Sequence, residues 1–235
     1  MTGSPDSIHQ RGRAAVLAGQ ALVDVPPGRG GDRWGLSLDV RLDPGAEDRL
    51  HALAAEAGAM AGPGQWLTGA RGSSHLTVTY LERAWREVGA EDPAVRHVAG
   101  LLRPLVERAA PMRWRLTGLA LADRGVLALA EPVDEAPDRF RSALLGRLGE
   151  VGRAEASYRR SVWWATLVHF AAPLADPAAL VDWVDGRTVL DPVVLTAHRF
   201  EVVRYAFDGE RTVPVPLVVI QAPGVPAEVD DGAYA

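Results

Sequence analysis

Neither cysteine nor lysine occurs in this 235-residue chain. Without cysteine there are no disulfides and no thiolate metal ligands. Without lysine, all 25 basic side chains are arginine, a pattern that reads as GC-rich coding bias more than as mechanism. Any side-chain cation meeting a ligand is then a guanidinium or a protonated histidine, and guanidinium suits phosphate or carboxylate. Positive charge is also scarce: a net charge of −5 and a pI near 5.7 exclude a large nucleic-acid surface. A local basic pocket for one small anion stays open. Long apolar runs are absent as well, none reaching the roughly 18 residues of a membrane helix. The short stretch Ala14-Ala15-Val16-Leu17-Ala18 follows Arg11 and Arg13, but Gln20 and Asp24 interrupt it early. That argues against a signal peptide, and the expected location is cytoplasmic.

What is present is an ordinary globular composition, 48% apolar and 23% charged, on a chain long enough to bury a proper core. Residues 1–31 end in the Pro/Gly cluster 26–31 and read as an extension with at most one helix, within 8–24. Residues 32–221 read as the domain, and 222–235, rich in Pro, Gly and acid, as a flexible tail. Within the domain, Trp34, Leu36, Leu38 and Val40 alternate as one face of a strand. A helix over 46–59 follows, then a strand at 75–81. A helical stretch over 92–109 carries Pro104, which should kink or split it. Strands at 112–121 and 125–131 join through Ala122-Asp123-Arg124-Gly125. A helix over 137–150, a strand at 164–170, a short helix over 177–184 and strands at 193–205 and 214–220 complete the order. The last pair reads as a hairpin across Asp208-Gly209-Glu210. The order predicts an α+β protein: two lobes related by a pseudo-twofold, with mostly antiparallel sheets lining a central cleft and helices outside.

The chemistry concentrates in two strands. In His75-Leu76-Thr77-Val78-Thr79-Tyr80-Leu81, alternation puts His75, Thr77 and Thr79 on one face and Leu76, Val78 and Tyr80 on the other. The first face offers an imidazole and hydroxyls, a set able to hold an anion and move a proton. Trp164-Ala165-Thr166-Leu167-Val168-His169-Phe170 lies 89 residues on and matches it, Trp164 on His75 and Thr166 on Thr77.

On these residues and the order of elements from about Arg33 to Ile220, the chain resembles the 2H phosphoesterase superfamily. That group contains the 2′-5′ RNA ligase-like proteins and cyclic phosphodiesterases, and is named for two His-x-Thr/Ser motifs facing each other across a cleft. The resemblance implies a small phosphorylated or nucleotide-like ligand and no metal or other cofactor. Two histidines suit a reaction that needs a base on the attacking oxygen and an acid on the leaving one, on opposite sides of phosphorus. Here His75 and Thr77 match the first motif and Thr166 the second, but Trp164 stands where the second histidine belongs. An indole N–H donates a hydrogen bond but neither ionises nor takes up a proton at useful pH. The resemblance therefore implies an enzyme of phosphodiesterase ancestry with His75 as its one motif histidine. The alternatives are a binding or regulatory module that keeps the cleft, or a repurposed enzyme of secondary metabolism.

Other residues carry alternatives. Trp164 either stacks on a planar ligand group or plugs the second half-site. His169 falls by parity on the face away from the cleft and reads as structural; reaching the cleft would take a bulge. Arg204, late in its strand, clamps a phosphate if that strand borders the cleft. Arg159 and Arg160 read as a solvated pair or an anion contact. His51 and His97 lack companions at metal-ligand spacing.

Overall fold

A computed structural model describes residues 4–28, 31–149, 151 and 162–224. Arg159 and Arg160 lie outside these residues. The elements in chain order are α1 (Pro5–Leu17), β1 (Ser37–Leu42), α2 (Pro44–Ala61), β2 (Leu76–Tyr80), α3 (Pro93–Glu107), β3 (Arg113–Ala122) and β4 (Gly125–Pro132). They continue with α4 (Ala136–Leu148), β5 (Trp163–His169), α5 (Pro177–Asp185), β6 (Val193–Phe207) and β7 (Thr212–Gln221).

Four of the helices start with the same local device. Ser4, Asp43, Asp92 and Asp176 each cap a helix whose first residue is proline, and their side chains accept from the backbone N–H of Ser7, Ala46, Ala94 and Ala179. The missing proline N–H costs nothing at that position. Pro104 does not split α3, contrary to expectation. It sits on the exposed side of the last turn, and Gly100, whose carbonyl loses its partner, is exposed as well.

Every strand pairing is antiparallel, in the order β2-β1-β6-β3-β4-β5 with β7 on the other flank of β6. The long β6 joins two halves. Its first residues, Val193–Thr196, pair with β3, while Ala197–Val203 pair with β1 and Arg199–Phe207 with β7. One half is then β2-β1-β6-β7 and the other β3-β4-β5 with the start of β6. The two motif strands, β2 and β5, close the opposite ends of this curled sheet and come into contact across it. The α+β architecture, with helices outside and a cleft between antiparallel halves, is the one expected.

The two turns read from the sequence are also there. Ala122 pairs with Gly125, and Phe207 with Thr212 across Asp208-Gly209, where Gly209 takes φ 105°.

The segment before β1 does not stand apart from the domain. Helix α1 is shorter than the expected span and packs on β3 and α5: Leu121 N–H donates to His9 Nδ1, and His9 Nε2 donates to Asp185 Oδ1 at 2.9 Å. A Cβ on Gly12 would lie 2.4 Å from the Leu121 backbone, so only glycine allows this approach. After α1 the chain crosses the end of β5, with Asp24 N–H donating to the Phe170 carbonyl. Trp34, expected on the apolar face of the first strand, precedes that strand and takes φ 64°, a conformation bulky side chains seldom adopt.

Candidate functional site

Both motif strands carry a bulge directly after their threonine. In β2, Thr77 pairs with Asp39 and Thr79 with Leu38, so Val78 is the extra residue. In β5, Thr166 pairs with Leu127 and Val168 with Val126, so Leu167 is the extra residue. A bulge leaves a carbonyl off the ladder and shifts the parity of everything after it. Here both loose carbonyls are recaptured: Val78 O by Arg141 Nε at 3.0 Å, and Leu167 O by Gly69 N–H at 2.9 Å.

The parity shift corrects two expectations. Thr79 is fully buried and does not face the cleft; Tyr80 lines it instead. His169, expected on the far face, reaches the cleft through the very bulge that reading required. Tyr80 and His169 occupy equivalent places, five residues after His75 and Trp164. The likeness of the two strands thus extends to their irregularities.

Between the strands lies a cavity of about 310 Å³. The structure brings His75, Thr77, Trp164 and Thr166 together on its wall, from opposite halves of the sheet. Arg204 is not on that wall. Strand β6 does border the cavity, but the alternation presents Tyr205 to it and turns Arg204 away. The guanidinium groups on the cavity wall are Arg33 and Arg83, both from loops and neither singled out in the sequence. Arg33 is tied to Asp24 at 2.5 Å, and Arg124 shares the same carboxylate oxygen at 3.1 Å. Burial pushes the Asp24 carboxyl above its ordinary range despite these two cations.

His75 is held at both ring nitrogens. Nδ1 lies 2.7 Å from the Ser73 carbonyl, which can only accept, so Nδ1 carries the proton. Nε2 therefore presents its lone pair when the ring is neutral. It faces Tyr205 Oη at 3.4 Å and Asp39 Oδ2 at 3.5 Å. The Trp34 ring wedges between two other cleft rings, 5.1 Å from His169 and 5.4 Å from Tyr205 by centroids. Among the described residues no three His, Asp or Glu side chains converge as metal ligands.

His169 is a second imidazole in the cleft but a different kind of group. Its Nδ1 is 3.1 Å from Thr68 Oγ1. Burial first, then the nearby charges of Arg33, His75 and Arg124, hold it down to about 3 from the ordinary 6.5. It is neutral at physiological pH and holds no proton to give as an acid. Because the folded value is depressed, its neutral burial favours the fold fully above pH 6.5, and that contribution is lost as pH falls from 6.5 toward 3. Urea midpoints at pH 7 and pH 4 check this. Wild type loses more stability on acidification than His169→Gln, and an equal loss in both proteins contradicts it.

Asp39 and Tyr205 escaped sequence reasoning. One signal was there: Ser37, Asp39 and Arg41 alternate with Leu38 and Val40, placing three polar side chains on the face opposite the core. All of β1 is buried, so the polar face is enclosed as well.

No family model and no curated protein sequence matches the chain. Solved structures do. TT0787 of Thermus thermophilus superposes with a TM-score of 0.55 at 20% identity, over 79% of this chain and 96% of that one. E. coli LigT in complex with 3′-AMP gives 0.55 at 16% identity, over 81% and 98%. A structure described as a phosphoesterase gives 0.54 at 14% identity, over 81% and 98%. The chain therefore has the bilobal fold of TT0787, LigT and the phosphoesterase structure, the fold that its two matching strands implied.

Proposed function

We propose that the cleft is a phosphate-ester site, taking a small phosphorylated or nucleotide-like ligand, with His75 as its general acid or base. One observation carries this reading: His75-x-Thr77 and Trp164-x-Thr166, far apart in the chain, share the wall of one cavity. In it, the Thr77 and Thr166 hydroxyls donate to phosphate oxygens, with Arg83 and Arg33 supplying positive charge nearby. Trp164 sits half-buried on the same wall and offers its ring to a planar ligand group. LigT has been crystallised with 3′-AMP, phosphate, NADP+ and ATP, which supports ligands of this class for a cleft of the same fold.

Binding tests the site without requiring turnover. Calorimetric titration with 3′-AMP is expected to show one site, and Thr77→Val, nearly identical in shape, to weaken it. A hydrogen bond to a charged group contributes about 1.5–3 kcal/mol, so the loss is roughly tenfold to a hundredfold in affinity. Unchanged binding in Thr77→Val removes the threonine from the site. No binding of 3′-AMP or inorganic phosphate by the wild type removes the phosphate reading altogether. A module that binds and does not react is the second reading, favoured by Trp164 in place of the second motif histidine.

A further inference from the structure

Behind His75 lies a carboxylate for which the phosphate-site reading has no use so far. Asp39, in the middle of β1, is fully buried. Its Oδ1 accepts from Ser37 Oγ at 2.9 Å and its Oδ2 from Tyr205 Oη at 2.9 Å, and Oδ2 is also 3.5 Å from His75 Nε2. Burying a carboxylate is costly unless it is paired and hydrogen-bonded. Two hydroxyls donate to it, and the imidazole becomes a partner once Nε2 carries a proton.

Several other groups face the same space. Tyr80 comes from the strand of His75 itself, Tyr205 from β6 and His169 from β5, while Asp32, Arg33 and Arg83 come from the loops. Among the described residues, Asp39 is the carboxylate within ion-pair reach of His75. Burial and the Asp39 charge both push the Tyr205 hydroxyl well above its ordinary range, so it remains a donor.

The two halves of the protein supply an internal comparison. Asp39 pairs with Thr77 in one half, and Leu127 pairs with Thr166 in the other. Leu127 is thus the counterpart of Asp39, as Trp164 is of His75. Leu127 belongs to an apolar cluster with Ile8 of α1, Leu129 and Val162, against which Trp164 packs. Where the imidazole is present the carboxylate is present; where it is absent, so is its partner. A carboxylate needed only to hold β1 in the sheet gives no reason for that coupling.

We propose that Asp39 is the positioning residue of His75: it orients the ring toward the cleft and takes up the positive charge when Nε2 accepts a proton. Proton transfer at this site is then worked by one carboxylate-backed histidine, while the second half keeps Thr166 on the cavity wall and has apolar packing where such a pair would stand. The proposal rests on the phosphate-site reading for its purpose, and its test uses no ligand, so the two fail separately.

The test is the NMR pH titration of the histidine ring protons, with His75 assigned from its absence in His75→Gln. In Asp39→Asn, the His75 ring signal is expected to titrate at lower pH than in wild type, because a neutral amide no longer stabilises the imidazolium. Tyr205→Phe is expected to move it the opposite way, since the carboxylate loses a competing donor and acts more strongly on the ring. Opposite shifts support the pair, because a purely structural role moves neither in a set direction. A folded Asp39→Asn in which His75 titrates as in wild type overturns the proposal. If Asp39→Asn fails to fold, Tyr205→Phe decides, and an unchanged titration there overturns it equally.

Discussion

If the cleft is a phosphate-ester site, turnover of a 2′,3′-cyclic nucleotide is expected to fall by about 10²–10⁴-fold in His75→Ala, the range a positioned acid–base group contributes. The geometry behind this is specific. Nδ1 is committed to the Ser73 carbonyl, so the nitrogen left for proton transfer is Nε2, beside Tyr205 and Asp39. The neighbouring rings of the cleft do not take over the transfer. His169 is held near 3, the Tyr205 hydroxyl is pushed upward, and Trp164 neither ionises nor takes up a proton at useful pH. The residual rate in the variant reports what phosphate binding achieves alone. Initial rates by chromatographic separation of the nucleotides settle it: equal rates in the wild type and in a folded His75→Ala place the chemistry elsewhere. If the wild type binds the nucleotide without converting it, the non-catalytic module is the correct reading.

Trp164→His is expected to have the opposite effect, a gain of about 10²-fold in the same assay. The value sits at the lower end of the range for a proton-transfer group. Thr166 already stands two residues on along the strand, and Thr166 and His75 share one cavity, so an imidazole at 164 meets the ligand from the far side. Its surroundings keep the gain small. The position corresponding to Asp39 is Leu127, inside the cluster with Ile8 and Val162, so the new ring has no carboxylate behind it. The ratio of rates, wild type to variant, measures whether the two half-sites still face each other across phosphorus. No gain, in a variant with wild-type stability and intact 3′-AMP binding, contradicts that arrangement.

The two effects depend on each other. With His75 removed, Trp164→His leaves only one imidazole again, and its gain in the same assay is expected to be smaller on the His75→Ala background than on the wild type, because the groups act on one reaction.

How much of this was legible beforehand differs from residue to residue. Two helix starts were, at Asp92-Pro93 and Asp176-Pro177, because Asp-Pro states its own local geometry, whereas Ser4-Pro5 and Asp43-Pro44 start helices earlier than the sequence reading placed them. The β3–β4 and β6–β7 turns were, for the same reason. The motif strands were recognisable from alternation and from their likeness to each other, and that was enough to imply the fold. Alternation then misplaced Thr79, Tyr80 and His169, since it assumes an unbroken period of two. The bulges at Val78 and Leu167 are stabilised by Arg141 and Gly69, residues remote in the chain, and nothing local announces them. Arg204 was wrong by one residue in the same way: the strand was right, and the facing side chain is Tyr205.

The N-terminal segment shows the same division. Its Pro/Gly cluster reads as a boundary, yet Ile8 packs into the second half-site and Asp24 pairs with Arg33 of the cleft wall. Those are contacts across that boundary, which composition does not encode.

By itself, then, the sequence determined the order of elements, the two matched strands, and the standing of Trp164 in the second where His75 stands in the first. These follow from local periodicity and from residue chemistry. Only the tertiary structure decided which side chains meet at the cleft, that His75 is backed by a buried Asp39, and that His169 arrives there neutral. Each of those depends on register, on bulges and on burial, and such quantities exist only once remote strands are paired.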